Sequence, residues 1–356
     1  MNKNKSIIIR ADGSSQIGTG HLMRCVALAQ GIAKVGLTPI FITKKIDDVA
    51  EKIFSRYKFQ PHFIENNLNE QDDASLTIEI AAKNQAEIIA IDHYKLKETF
   101  RSEILENGFE TLVFDDVLED EKISATYILN QNLGAESLLE RYKEIAPETK
   151  KYMLGEKYVL LREKIIKIGK KVRKERPTRI SKIAIGEINP NILIIFGGSD
   201  IKDLTALTLE QFKNFDNNYD NINVVCGLGM KKETEKKVEE LSKTMPRVNV
   251  LKNPDLSKLM SQTDIAITAA GTTTHELAYF GIPMVLVQIA DNQSVICENF
   301  SKRNLAEVIT DLNNFEPQLI EILHGIFADI EQTLNKSKML INTIDSKGIK
   351  RILNII

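Results

Sequence analysis

The chain has 356 residues, 43% hydrophobic and 27% charged, and its 49 acidic and 47 basic side chains leave a formal charge of −2. This composition is ordinary for a globular protein, and the length allows about two domains. The near-zero charge excludes a chain drawn as a whole to nucleic acid or to an anionic membrane surface.

The N-terminal MNKNK is basic, but residues 6–11 form only a short apolar run that passes straight into a polar, glycine-rich loop. That pattern predicts a first β-strand, not the hydrophobic segment of a signal peptide. No apolar stretch approaches the roughly 18 residues of a membrane span. Further buried strands are predicted over 38–43, 87–91 and 110–114, with helices over 20–35, 47–57, 71–83 and 96–106 between them. The alternation predicts a parallel sheet covered by helices.

Residues 163–182 hold nine Lys or Arg and two Glu. They read as a solvated helix and linker, which Pro177 and Asn189-Pro190 would break. The alternation then restarts. Strands are predicted over 191–196, 222–226, 248–251, 265–268 and 283–288, and helices over 203–215, 231–244, 257–262, 273–280 and 292–303. The tail after Pro317 reads as helical. The fold class is therefore α/β, with two Rossmann-like doubly wound domains, 1–180 and 181–356, facing a cleft at the carboxyl ends of their strands. Cys25, Cys226 and Cys297 are too widely spaced for a disulfide framework or a Cys-x-x-Cys metal site. They read as reduced packing residues, which fits a cytoplasmic protein.

The loops at strand ends carry the chemistry. Arg10-Ala11-Asp12 ends the first strand and leads into a loop holding Gly18, Gly20 and His21. The glycine spacing is neither the dinucleotide fingerprint nor a Walker A loop. It suits either a close ligand approach by the backbone or a plain tight turn. Asp92-His93-Tyr94 ends another strand, and Asp92 there is either a site residue or a helix cap. Asp115-Asp116 ends the next, with no choice made between the two. Gly197-Gly198-Ser199-Asp200 suits a phosphate or sugar contact, or a capped turn.

The most informative segment is Ala270-Gly271-Thr272-Thr273-Thr274-His275-Glu276. A strand ends, a glycine turns, and three threonines open a helix whose positive end favours a diphosphate. Glu276, one turn in, can take a ribose diol. A Thr273–Glu276 capping box is the competing reading. Asn292 and Gln293 open a later helix and can both donate to and accept from a sugar.

RADGSSQIGTGHLMRC, DHY, GGSD, AAGTTTHE and ADNQ occur in this order. Together they resemble the UDP-2,4-diacetamido-2,4,6-trideoxy-β-L-altropyranose hydrolases of pseudaminic acid (nonulosonic acid) biosynthesis, over roughly residues 6–310. YMLGEKYVLLRE looks like the segment joining that family's halves. The resemblance implies a GT-B-like fold and hydrolysis of a UDP-amino sugar at the anomeric carbon with inversion. It implies no metal and no other cofactor. The partner is then the small UDP-sugar substrate, with no nucleic acid and no stable membrane association. Matched by position, His21 is the general base, with Tyr94 and Asn292 near the reacting centre. Gly271, Thr272, Thr273 and Thr274 hold the diphosphate, Glu276 the ribose, and Gln293 phosphate or sugar. Arg10, Asp12, Gly18, Gly20, Gly198 and Ser199 complete the expected binding set.

An imidazole changes protonation near neutral pH and can take a proton from water there. UDP is already a good leaving group, so a second carboxylate of the glycosidase kind is not required. Gly13 stands where the family more often has Ser, His275 where an aromatic such as Trp is usual, and the tail beyond about residue 310 is longer than in short members. Two other readings remain. One is a GT-B glycosyltransferase, which would need an acceptor groove. The other is a nucleotide-sugar binding protein without catalysis, against which the trio His21, Tyr94 and Asn292 argues.

Overall fold

The computed structural model describes residues 5–214 and 219–356. The basic start of the chain, and the far end of the helix expected over 203–215, fall outside them. The chain forms two compact units. Unit 1 is residues 1–163 with 347–356, and unit 2 is residues 164–346.

Unit 1 begins with β1 (Ser6–Ala11), α1 (Gly20–Lys34), β2 (Thr38–Lys44), α2 (Val49–Tyr57), β3 (His62–Ile64), α3 (Glu70–Lys83) and β4 (Ala86–Asp92). It continues with α4 (Glu98–Glu106), β5 (Glu110–Phe114), β6 (Tyr127–Asn130), α5 (Leu139–Ile145) and β7 (Lys151–Leu154). All seven strands are parallel, in the order β3-β2-β1-β4-β5-β6-β7. Ile8, Ile89, Ile91 and Val113 pack on Ala74 and Ala81 of α3 and on Phe100 and Ile104 of α4. Phe41 of β2 stacks edge-on with Phe54 of α2, with ring centroids 4.8 Å apart. Because the strands are covered by helices, they read as continuous apolar runs without alternation.

Unit 2 opens on α6 (Glu163–Ala184), followed by β8 (Asn191–Ile195), α7 (Leu204–Gln211), β9 (Asn221–Cys226), α8 (Lys232–Ser242), β10 (Val248–Lys252) and α9 (Leu256–Gln262). After these come β11 (Ile265–Ala269), α10 (Thr272–Phe280), β12 (Met284–Val287), α11 (Ser294–Lys302), β13 (Ala306–Ile309), α12 (Phe315–Ala328) and α13 (Ile330–Thr343). Its six strands are parallel in the order β10-β9-β8-β11-β12-β13. The chain then returns to unit 1 as α14 (Gly348–Leu353), which packs on α1. The docking is close: a Cβ on Gly348 would lie 2.1 Å from the Val159 carbonyl oxygen. The tail is thus three helices, the last of them part of the other unit. No helix among the described residues is long and apolar enough to cross a membrane.

The expected boundary at 180/181 falls inside α6, and the two compact units divide between Glu163 and Lys164. Pro177 also lies within that helix and does not end it. The reason is a set of bonds on both sides of the proline. Arg173 donates to the carbonyls of Tyr279 (2.7 Å) and Ile341 (2.6 Å). Arg176 donates to Thr263 O (2.7 Å) and Asp264 Oδ1 (3.2 Å), and Arg179 grips both oxygens of Asp264 at 2.7 and 2.6 Å. These contacts bind α6 to unit 2 and offset the backbone bond that proline removes. The arginines of the basic run therefore face inward, while Lys167, Lys170 and Lys174 stay exposed.

Asp264 is buried and also accepts from the Asn191 amide at 2.9 Å. Burial pushes the Arg176 guanidinium down to about 10, and Asp264 opposes that fall. Asp264→Ala removes the partner of a buried cation. It is expected to destabilise the protein by about 3–5 kcal/mol, read from urea unfolding followed by circular dichroism. A loss under about 1 kcal/mol would show that the arginine cluster does not hold α6 in place.

Candidate functional site

In each unit the strand order reverses once, between β1 and β4 in unit 1 and between β8 and β11 in unit 2. Parallel sheets bind ligands at such switch points, outside the carboxyl ends of the strands. The loops after β1, β4, β8 and β11 carry the motifs singled out from the sequence, and the loop with Asn292 and Gln293 follows the next strand, β12.

In unit 1, β1 ends on Ala11, β4 on Asp92 and β5 on Phe114. Asp92 is the last residue of its strand and caps no helix, since α4 starts six residues later with Lys97 at its cap position. Its carboxylate accepts from His21 Nδ1 (2.5 Å) and Arg24 Nη2 (2.6 Å) on Oδ1, and from Arg24 Nε (2.6 Å) and Cys25 Sγ (3.4 Å) on Oδ2. The third nitrogen of Arg24 donates to Asp116 Oδ2 at 2.7 Å. Tyr94 stands edge-on to the His21 ring, with centroids 4.5 Å apart. His21 lies in the first turn of α1 and is partly exposed.

Burial alone would push the Asp92 carboxyl up. Arg24 and then His21 more than reverse this and hold it well below the usual carboxylate range. An ionised carboxylate only accepts, so the proton of a neutral His21 ring lies on Nδ1 and the free lone pair on Nε2.

His93 has the opposite arrangement. Its Nδ1 accepts from the Lys95 amide (3.0 Å), so Nε2 is the donor to Asp12 Oδ2 (3.0 Å). Arg10 and Asp12, expected at the substrate, are buried and paired with other charges. Arg10 is 0% exposed and grips Asp73 through Nε (2.9 Å) and Nη2 (2.8 Å) and Asp12 through Nη1 (2.5 Å). Asp12 also takes the Lys44 amide at 2.7 Å. Together they lock β1 to β2 and α3 beneath the loop. That loop is closed by the Ser14–Gly18 pair (3.0 and 3.2 Å) with Gly18 in the left-handed region, and Gly20 opens α1.

In unit 2, the loops after the neighbouring strands β8, β11 and β12 carry Gly198-Ser199, Gly271–Thr274 and Asn292-Gln293. The Gly198 carbonyl accepts from the Gly229 amide (2.8 Å), and a Cβ on Gly227 would come within 2.4 Å of it. Ser199 Oγ is buried and has no partner among the described residues. Asp200 takes the Leu204 and Thr205 amides, both at 2.9 Å, and so ties the start of α7.

The start of α10 differs. Its cap residue is Gly271, which has no side chain to cap the helix, and the space that a Cβ on Gly271 would fill is open. The Thr273–Glu276 capping box does not form, because both residues are already inside the helix. Thr272 and Thr273 are partly exposed, whereas Thr274, His275 and Glu276 are buried, with Thr274 Oγ donating to Ala269 O at 3.4 Å. The first-turn amides and the positive helix end are thus presented by small residues, an arrangement suited to an anion. Gln293 Oε1 accepts from the Ile289 amide (2.9 Å), which leaves its NH₂ group as the donor. Of the three expected reacting-centre residues, the structure brings His21 and Tyr94 together in unit 1. Asn292 belongs to unit 2.

Sequence reasoning gave no role to Arg24 and none to Asp116. One signal was available: Arg24 interrupts an apolar helical stretch, LMRCVALA, and a charge on such a face needs a buried partner.

The model of the glycosyltransferase family 28 C-terminal domain matches residues 192–352. The chain is 30% identical over 333 residues to uncharacterized protein MJ1062 of Methanocaldococcus jannaschii, covering 92% of this chain and 62% of that protein. It is 24% identical over 272 residues to UDP-2,4-diacetamido-2,4,6-trideoxy-beta-L-altropyranose hydrolase of Campylobacter jejuni, covering 76% of this chain and 86% of that one. The chain thus spans less than two thirds of the first of these curated relatives. The crystal structure of Acinetobacter baumannii MurG superposes with a TM-score of 0.67 at 13% identity, covering 99% of both chains. The chain has the two-domain Rossmann-like fold of the GT-B type.

Asp12 behaves as Asp92 does: burial pushes it up, and the His93 hydrogen bond and Arg10 carry it well below the usual range. In the unfolded chain both carboxyls protonate near pH 3.9, so the unfolded state binds more protons as pH falls through that value. Their contribution is therefore present above about pH 4 and lost below it. The urea midpoint is expected to fall steeply from pH 5 to pH 3. Asp92→Asn is expected to be less stable at neutral pH, with a shallower slope. An equally steep slope in that variant would remove Asp92 as a source of the acid sensitivity.

Proposed function

We propose that this chain hydrolyses the anomeric C–O bond of UDP-2,4-diacetamido-2,4,6-trideoxy-β-L-altropyranose or a close UDP-amino sugar, with inversion, releasing UDP and the free sugar. One observation carries the reading: a partly exposed histidine at the unit 1 switch point, with Nδ1 anchored on a buried carboxylate and Nε2 left as a proton acceptor. The name of the Campylobacter relative supports the substrate class.

On this reading unit 2 holds the nucleotide. The amides of Thr272 and Thr273 and the open α10 end take the diphosphate, Glu276 the ribose, and Ser199 and the Gln293 NH₂ group the phosphate or sugar. Unit 1 handles the proton. The water oxygen bonds to the anomeric carbon as its proton passes to His21 Nε2. The bond from that carbon to the β-phosphate oxygen breaks, and UDP departs with the electron pair. Charge growing on that oxygen is stabilised by the fixed helix end. Tyr94, edge-on to the His21 ring, shapes the side of unit 1 on which the proton is taken.

A second reading, transfer of the sugar to an acceptor alcohol, is favoured by the match to a glycosyltransferase domain model. The two separate in oxygen-18 water with EDTA, without acceptor, using a panel of UDP-2,4-diacetamido-trideoxy sugars. Hydrolysis as proposed puts the label in the free sugar. Label in the phosphate overturns the bond assignment, and UDP binding without turnover favours transfer. His21→Phe is expected to lower turnover by at least about a hundredfold while UDP still binds. Turnover within tenfold of the parent would remove His21 from the proton-accepting role.

A further inference from the structure

We infer that Arg24 is a positioning residue for His21: by gripping both oxygens of Asp92 it holds the carboxylate in line with Nδ1 and opposes its charge, so that Nε2 stays free to accept a proton. The inference rests on the reading of His21 as the proton acceptor, and it adds the residue that keeps the imidazole in that state.

A lone carboxylate 2.5 Å from an imidazole nitrogen favours the imidazolium, which has no lone pair to offer. Asp92 is not alone. The guanidinium lies side-on to it with two bonds of 2.6 Å, the fork geometry in which arginine binds a carboxylate most firmly. A third bond, to Asp116, holds Arg24 from its far side, and the Phe114 ring lies 5.3 Å from its central carbon.

The groups around His21 come from three places. Arg24 comes from its own helix, Asp92 and Tyr94 from the end of β4, and Asp116 from the end of β5 by way of Arg24. Cys25 lies on the far oxygen of Asp92. Asp92, Asp116 and Arg24 together carry one net negative charge. Removing the cation leaves two carboxylates facing the ring, and removing Asp92 leaves a cation 3.2 Å from Nδ1. The two changes therefore push His21 in opposite directions, a pattern that simple loss of folding does not produce.

The test is an NMR titration of the ¹⁵N-labelled His21 ring in the full chain without substrate, beside the pH–rate profile. The neutral ring of the parent is expected to carry its proton on Nδ1. Arg24→Gln should move the His21 midpoint, and the acidic limb of the rate profile, up by about one to two pH units. Asp92→Asn should move both down, and Asp116→Asn should move them down less. Arg24→Lys, which keeps the charge but not the fork, should lie between Arg24→Gln and the parent. If Arg24→Gln does not fold, the two Asp→Asn variants read the same charges. A parent ring protonated on Nε2, or midpoints that do not move in these opposite directions, overturns the inference. The titration needs no turnover, so it can succeed where the hydrolase reading fails. In that outcome no protein releases UDP, but the midpoints still move as described.

Discussion

Asp92 is 1% exposed, and a carboxylate buried that deeply must be paired or lose its charge. Much of unit 1 is arranged around this requirement. The strand β4 delivers Asp92, and the first two turns of α1 deliver His21, Arg24 and Cys25, all three onto its two oxygens. The end of β5 supplies Asp116 to satisfy the remaining arm of Arg24. Three chain segments far apart in sequence are thereby fixed at the sheet's switch point. The Arg10–Asp12–Asp73 set solves the same problem one layer below, where it joins β1, β2 and α3 and leaves nothing exposed to a ligand.

The two units solve different electrostatic problems with one topology. At its switch point unit 1 gathers formal charges and pairs them tightly. At its own, unit 2 presents glycines, threonines and the start of α10, whose positive end is a backbone dipole. An anion of fixed shape suits the second kind of surface, and a group that must exchange a proton suits the first. This division of labour is the physical content of the reading proposed above.

The nine strands expected from the sequence are all present, because a parallel strand covered on both faces is an uninterrupted apolar run. The strands that were not legible, β3, β6, β7 and β13, have three or four residues, too few to show a period. α6 was misjudged at Pro177 because its persistence depends on Asp264, about 90 residues downstream. The loops after the strands were readable as such, since glycine, threonine and polar residues cluster at strand ends. The partner of His21 was not, because the distance from residue 21 to residue 92 is set by strand order and not by spacing. For the same reason the pairing of Arg10 with Asp12 and Asp73 was not legible. What marks Arg10 and Asp12 is that each is buried against an opposite charge, and one sequence carries little direct sign of that.

The return of α14 to unit 1 has a consequence for the newly made chain. Gly348 fits against the Val159 carbonyl with no room for a side chain, so this helix belongs to the packing of the first unit. A ribosome makes residues 1–163, then the whole of unit 2, and only afterwards the segment that finishes what it began. At 5–20 residues per second that interval is about 10 to 40 seconds, during which the face of α1 meant for α14 stays uncovered. The first unit to be translated is thus the last to be completed, because its closing helix is made only after the whole of unit 2.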